Sequence, residues 1–159
     1  NEATAQKEQV ETTDNAAEAE NASGQRKVYK TKAEVVERIK EIAHAEEIPQ
    51  KDEVEFDDFG KMDIRTATVL EAVKVPKSDK LLKLTIDTGI DKRVIVSGIA
   101  KFYTPEEMVG KQICILANLK PRTIFGIESK GMILMARQGD GKMRFITPAE
   151  TLHNGAEIG

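Results

Sequence analysis

Lys111-Gln112-Ile113-Cys114-Ile115-Leu116-Ala117 is followed by Asn118-Leu119-Lys120-Pro121-Arg122-Thr123-Ile124-Phe125-Gly126-Ile127-Glu128-Ser129-Lys130-Gly131, and then by Met132-Ile133-Leu134-Met135-Ala136-Arg137. Two short apolar runs thus flank a basic stretch punctuated by proline and glycine. The runs have the length and bounding turn residues of β-strands, and the stretch between them reads as a loop. Upstream the same texture repeats. Asp63 to Val75 is a long Thr- and Val-rich strand, turned by Pro76-Lys77-Ser78-Asp79. In the next strand, Leu81 to Thr88, Leu82, Leu84 and Ile86 alternate with Lys83, Thr85 and Asp87, the period of a half-buried strand. Arg93 to Ile99 is a third.

Between the third and fourth strands, Thr104-Pro105-Glu106-Glu107 supplies a cap, a proline at the first helical position and acids in the first turn. Gly110 stops that helix after a turn or two. Three strands, a short helix and two strands, Lys111–Ala117 and Met132–Arg137, give the order of a five-stranded OB-fold β-barrel, so the chain is expected to be all-β. Such a barrel takes its ligand on the face of strands 2–3 and in the loops joining strands 1–2 and 4–5. Residues 138–159 hold Phe145, Ile146, Pro148, Leu152 and Ile158 and are expected to pack on the barrel or on a second subunit.

The N-terminal third differs. Residues 1–25 contain no Leu, Ile, Met or aromatic residue, and six of them are acidic. Little apolar area is available to offset ordering entropy, so residues 1–30 are expected to form a disordered acidic linker. Residues 31–55 hold one amphipathic helix, about 32–48, and a connector. Thr31 and Glu34 have capping-box spacing, Glu34 and Arg38 are spaced as an i,i+4 pair, Val35, Val36, Ile39, Ile42 and Ala43 form a stripe, and Pro49 ends it. The helix is read as a partner-docking element or as one that packs on the rest of the protein. The domain proper is residues 56–159.

The net charge of −3 hides an asymmetry: residues 1–55 have eight basic and fourteen acidic residues, whereas residues 56–159 have sixteen and thirteen. A modest basic excess in the barrel predicts salt-sensitive polyanion binding rather than a tight clamp. The lone Cys114 cannot form an internal disulfide and reads as a small core residue, in keeping with a reducing, cytoplasmic setting. No apolar run approaches the roughly 18 residues of a membrane helix, so no membrane partner is expected. No zinc-ligand spacing, nucleophile elbow or phosphate-binding glycine loop occurs, and the adjacent Asp57 and Asp58 read as a solvated turn. This fragment is therefore expected to have no catalytic residues, no metal and no cofactor.

Basic residues concentrate in the two ligand loops: Lys74, Lys77 and Lys80 in one, Lys120, Arg122 and Lys130 in the other. Arg122 offers a planar fork for phosphate, and Lys77 and Lys80 act as mobile charges. Lys83 lies on the ligand face of the second strand. Asn118 either reads a base edge or 2′-hydroxyl, or closes its strand by bonding backbone. Phe125 either stacks on a base or packs in the core. With seven aromatics in the chain, base-by-base stacking is poorly supported, and recognition of a folded RNA by shape and backbone fits better.

The segments Ala117–Arg122 and Gly126–Met132, with Asp63-Ile64-Arg65, Val75–Leu81, Val96-Ser97-Gly98-Ile99 and Val109-Gly110-Lys111, resemble the tRNA-binding domain appended to bacterial methionyl-tRNA synthetases. That domain also occurs as a stand-alone tRNA-binding protein and in synthetase accessory factors. The resemblance covers about residues 56–159. It implies that Ser129 and Met132 belong to the tRNA-binding surface, that tRNA and a synthetase body are partners, and that the domain forms a homodimer partly through its C-terminal residues. One departure is Thr123-Ile124-Phe125, where family members often place another basic residue. The parent is then expected to be a methionine–tRNA ligase, whose signature HIGH-like and KMSKS-like motifs are absent here. Two other readings keep the same barrel: an export-type chaperone binding unfolded polypeptide, and an interaction module scaffolding synthetase complexes through the 32–48 helix.

Overall fold

The computed structural model describes residues 17–20, 26–29, 31–42 and 48–159, and it divides into two compact units, 1–45 and 46–159. In the first unit β1 (Ala17–Glu20) pairs antiparallel with β2 (Arg26–Tyr29), and α1 spans Lys32–Ile42. The paired strands lie where the composition predicts no regular structure, and the remainder of the expected linker lies outside the described residues. The capping box forms: the Thr31 N–H donates to Glu34 Oε2 and the Glu34 N–H to Thr31 Oγ1, both at 3.2 Å. The helix is described to Ile42, and the remainder of the expected stretch up to 47 is outside the described residues.

The second unit opens with a single helical turn, α2 (Phe56–Gly60), which the sequence reading did not anticipate. Asp57 and Asp58 stand in its first turn, where carboxylates suit the partial positive charge of exposed amides. Five strands then form the nearly closed OB-like barrel: β3 (Ile64–Lys74), β4 (Leu82–Asp87), β5 (Lys92–Ser97), β6 (Gln112–Leu116) and β9 (Met132–Ile133), in the order β5-β4-β3-β6-β9. The β4 alternation holds, with Leu82, Leu84 and Ile86 fully buried. With Ile95, Ile113 and Ile115 they fill the barrel, each contributing about 1.5–3 kcal/mol of burial. The short helix α3 (Pro105–Met108) has a full Thr104–Glu107 capping box and sends Met108 into the core.

The long β3 serves two neighbours. Residues 64–68 pair with β6, residues 68–74 pair with β4, and a register shift between Val69 and Glu71 bends the strand between them. The edge that β4 leaves open is filled by β12 (Glu157–Ile158), with Ile158 opposite Ile64. Fully buried Thr66 holds this tail: its Oγ1 donates to the His153 carbonyl at 2.9 Å and accepts from the Ala156 N–H at 3.0 Å. The C-terminal residues therefore cap an edge that would otherwise present unpaired backbone.

The strand expected over 132–137 is broken. The partner changes at Leu134: its N–H still donates to the Cys114 carbonyl of β6, its carbonyl accepts from the Ile146 N–H, and β10 (Met135–Arg137) then pairs with β11 (Met143–Phe145) as a separate ribbon. The Ile146 carbonyl accepts from the Cys114 N–H at 3.1 Å, and Met135 and Phe145 of the ribbon pack against the core. Cys114 is buried, and desolvation pushes its thiol pKa up.

Candidate RNA-binding site

The basic stretch after β6 is a folded element rather than an irregular loop. β7 (Arg122–Ile124) pairs with β8 (Ile127–Ser129) around Phe125-Gly126, both with positive φ (50° and 76°). Two successive positive φ values define the tight turn whose twist matches a hairpin. Glycine accepts this freely, while a phenylalanine does so against steric repulsion of its Cβ. Phe125 is 64% exposed at the tip, so packing does not hold it there. The sequence signal was weak because Phe-Gly is not a usual pair for this turn.

The hairpin lies against β5: the Lys130 N–H donates to the Val94 carbonyl at 2.9 Å, and the Val96 N–H donates to Ser129 Oγ at 3.0 Å. Between the hairpin, β5 and the β10–β11 ribbon runs a groove of about 540 Å³. Lys120, Arg122, Ser129 and Met132 all line it, with Leu119, Ile124 and Met143 supplying apolar wall. Lys83 stands opposite Val96 across β4–β5, on the face from which Val96 reaches the groove. The turn carrying Lys77 and Lys80 is tied to the chain just after β5. Its Lys80 carbonyl accepts from the Ala100 N–H at 3.0 Å, two residues beyond Gly98 of the groove wall. Lys77, at φ 64°, and Lys80 are exposed. Lys130 lies 3.5 Å from the Glu128 carboxylate, so part of its charge is offset.

Two expected contact residues have other occupations. The Asn118 Oδ1 accepts from the Asp63 N–H at 3.0 Å and its Nδ2 donates to the Lys61 carbonyl at 2.7 Å. The amide is spent on backbone, the second of its two sequence readings. Ser129 is 4% exposed, and its hydroxyl accepts from Val96 and donates to the Gly131 carbonyl at 3.4 Å. A hydroxyl so enclosed sets strand spacing and offers nothing to a ligand. Met132, 45% exposed, stays accessible. Of the aromatics after the third strand, Tyr103 packs on Phe145 at 5.3 Å and its hydroxyl accepts from the Phe145 N–H, which withdraws it from stacking.

Sequence reasoning also passed over Arg93 and Asp91. The Arg93 guanidinium grips the Asp91 carboxylate with both Nε (2.8 Å) and Nη2 (2.9 Å). These bonds hold the Asp91 pKa below the usual carboxylate range, against a smaller desolvation effect, with Thr88 Oγ1 donating as well.

A groove of an OB-like barrel lined by Lys120 and Arg122 suits a phosphate backbone. Residues 64–157 match the family model described as "Putative tRNA binding domain". The chain belongs to this tRNA-binding family. The methionine–tRNA ligase of Flavobacterium johnsoniae is 49% identical over 142 residues, covering 89% of this chain and 20% of that protein. That of Cytophaga hutchinsonii is 55% identical over 118 residues, covering 74% and 17%. The chain thus spans about a fifth of the length of these relatives. Among solved structures, a MetRS-related protein from Pyrococcus horikoshii superposes with a TM-score of 0.65 at 37% identity, covering 68% of this chain and 99% of that one. The chaperone CsaA of Bacillus anthracis gives 0.63 at 29% identity, covering 68% and 100%. Among the described residues of this tRNA-binding domain, no helix is long and apolar enough to cross a membrane.

Proposed function

We propose that the chain is the non-catalytic C-terminal tRNA-binding module of a methionyl-tRNA synthetase. It holds folded tRNA by shape and backbone contacts and raises its local concentration at the catalytic body. The observation that carries this is a groove lined by Lys120 and Arg122 in a domain of the tRNA-binding family. Lys77, Lys80, Lys83, Lys120, Arg122 and Lys130 supply charge, Phe125 a stacking surface and Met132 an apolar contact. No cofactor enters this role, and a cytoplasmic setting suits it.

The module acts as a homodimer in this reading. Val54, Phe56, Phe59 and Met62 are exposed beside Glu53, Glu55, Asp57 and Asp58, an apolar patch in an acidic frame. An exposed apolar patch outside the groove can be covered by a second copy while the groove stays free for RNA. The same groove supports a second reading, polypeptide binding of the kind that likeness to a chaperone suggests. A third, scaffolding through α1, predicts that deletion of residues 1–50 abolishes complex assembly and leaves RNA binding intact.

Binding of folded tRNA across a salt series tests the main reading. Lys77→Ala/Lys80→Ala/Arg122→Ala should bind more weakly, with a log–log salt slope shallower by about 2–3. Absence of salt-sensitive binding by the native chain would refute it, and capture of an unfolded polypeptide instead would move the assignment to the second reading.

A further inference from the structure

Arg93 is the best-connected basic residue of the barrel, yet it has little left for a ligand. Its side chain is 14% exposed. Nε and Nη2 hold Asp91, and Nη1 donates to the Ala117 carbonyl at 2.8 Å and to the Lys130 carbonyl at 3.5 Å. Four of its five N–H groups are thus committed. The two carbonyls are the feet of the whole excursion between β6 and β9, and the twelve residues between them carry Lys120, Arg122 and Phe125. The amides of the same two residues are tied as well, Ala117 to the Asp63 carbonyl at 2.7 Å and Lys130 to the Val94 carbonyl at 2.9 Å.

The grip is oriented from below. Thr88, fully buried, donates through Oγ1 to Asp91 Oδ1 at 2.9 Å, and its N–H bonds the Asp91 carbonyl at 2.9 Å. Asp91 aims the planar guanidinium, and the guanidinium closes the loop. A lysine in its place would present one compact charge and could not hold a carboxylate and two carbonyls in fixed directions.

We propose that Arg93 is a positioning residue for RNA binding: by bridging the Ala117 and Lys130 carbonyls it holds the β7–β8 hairpin, and with it Lys120, Arg122 and Phe125, in the arrangement that engages the backbone. This rests on the tRNA-binding reading above. Loosening the feet lowers the fraction of molecules with the hairpin in place, and apparent affinity falls by that fraction. The number of phosphates contacted does not change.

The test compares the native chain with Arg93→Gln and Arg93→Lys by tRNA binding across a salt series, beside amide hydrogen exchange over residues 118–130. The expected result is roughly tenfold weaker binding, an unchanged salt slope, and faster exchange in the hairpin with the β4 core still protected. Ile113→Val, a core change that lowers stability without touching the loop, should leave affinity as it is. A slope shallower by about 1 would make Arg93 a phosphate ligand and overturn the proposal. Unchanged affinity and exchange would overturn it too. If the native chain binds no tRNA, the functional reading fails, while hydrogen exchange still decides whether Arg93 holds the hairpin.

Discussion

Replacing Asn118 by alanine separates two roles that the sequence leaves open. The side chain makes two bonds, to the Asp63 N–H and the Lys61 carbonyl, and these tie the end of α2 and the start of β3 to the root of the basic hairpin. A net intramolecular hydrogen bond is worth about 0.5–1.5 kcal/mol, so both together are worth about 1–3 kcal/mol. Asn118 is exposed, so water can reach the freed groups, and the lower part of that range, about 1–2 kcal/mol, applies. In urea, with a slope of about 2 kcal/mol per molar, the middle of the range for a small domain, this is a midpoint lowered by roughly 0.5–1 M. Asn118→Asp keeps the acceptor for Asp63 but sets a carboxylate against the Lys61 carbonyl, and should lose at least as much. Equilibrium urea unfolding, with tRNA affinity measured on the same samples well below the transition, is the assay. Affinity should change less than threefold. An unmoved midpoint with a tenfold loss of binding would refute the reasoning and return Asn118 to the list of RNA contacts.

Two other substitutions bear on the same architecture. Phe125→Asn removes a bulky residue from a left-handed backbone position that asparagine tolerates, so thermal unfolding should show a gain of about 1 kcal/mol; tRNA affinity should drop if Phe125 stacks, and an unchanged affinity would remove it from the site. Gly89→Ala places a Cβ 2.2 Å from the Asn154 carbonyl oxygen at φ +79°. It should therefore cost more than the roughly 1–2 kcal/mol of the backbone term alone and speed hydrogen exchange in residues 152–158, and a thermal midpoint equal to the native one would show that the tail is not held there.

What could be read from the chain alone was what depends on neighbours in sequence. The alternation in Leu82–Asp87, the Thr104-Pro105-Glu106-Glu107 start of α3 and the Thr31–Glu34 capping box each use residues within one element, and strand order then pointed to the barrel. The charge contrast between residues 1–55 and 56–159 pointed to the basic loops in the same way. The fate of individual side chains depended on residues far away. Asn118 meets Lys61 and Asp63, Ser129 meets Val96, and Arg93 meets Ala117 and Lys130, partners at separations of 24 to 57 residues. No local pattern encodes such pairs. An exposed-looking Asn or Ser has the same sequence context whether its polar atoms face solvent or backbone, and only the closure of β3 against β6 and of the hairpin against β5 settles it. The C-terminal strand is the same case: its apolar residues announce that it packs, but the edge it fills exists only because β3 bends and leaves Ile64 and Arg65 without β4. Composition and period thus determined the barrel and the sign of its ligand, and tertiary closure decided which side chains remain free to touch it.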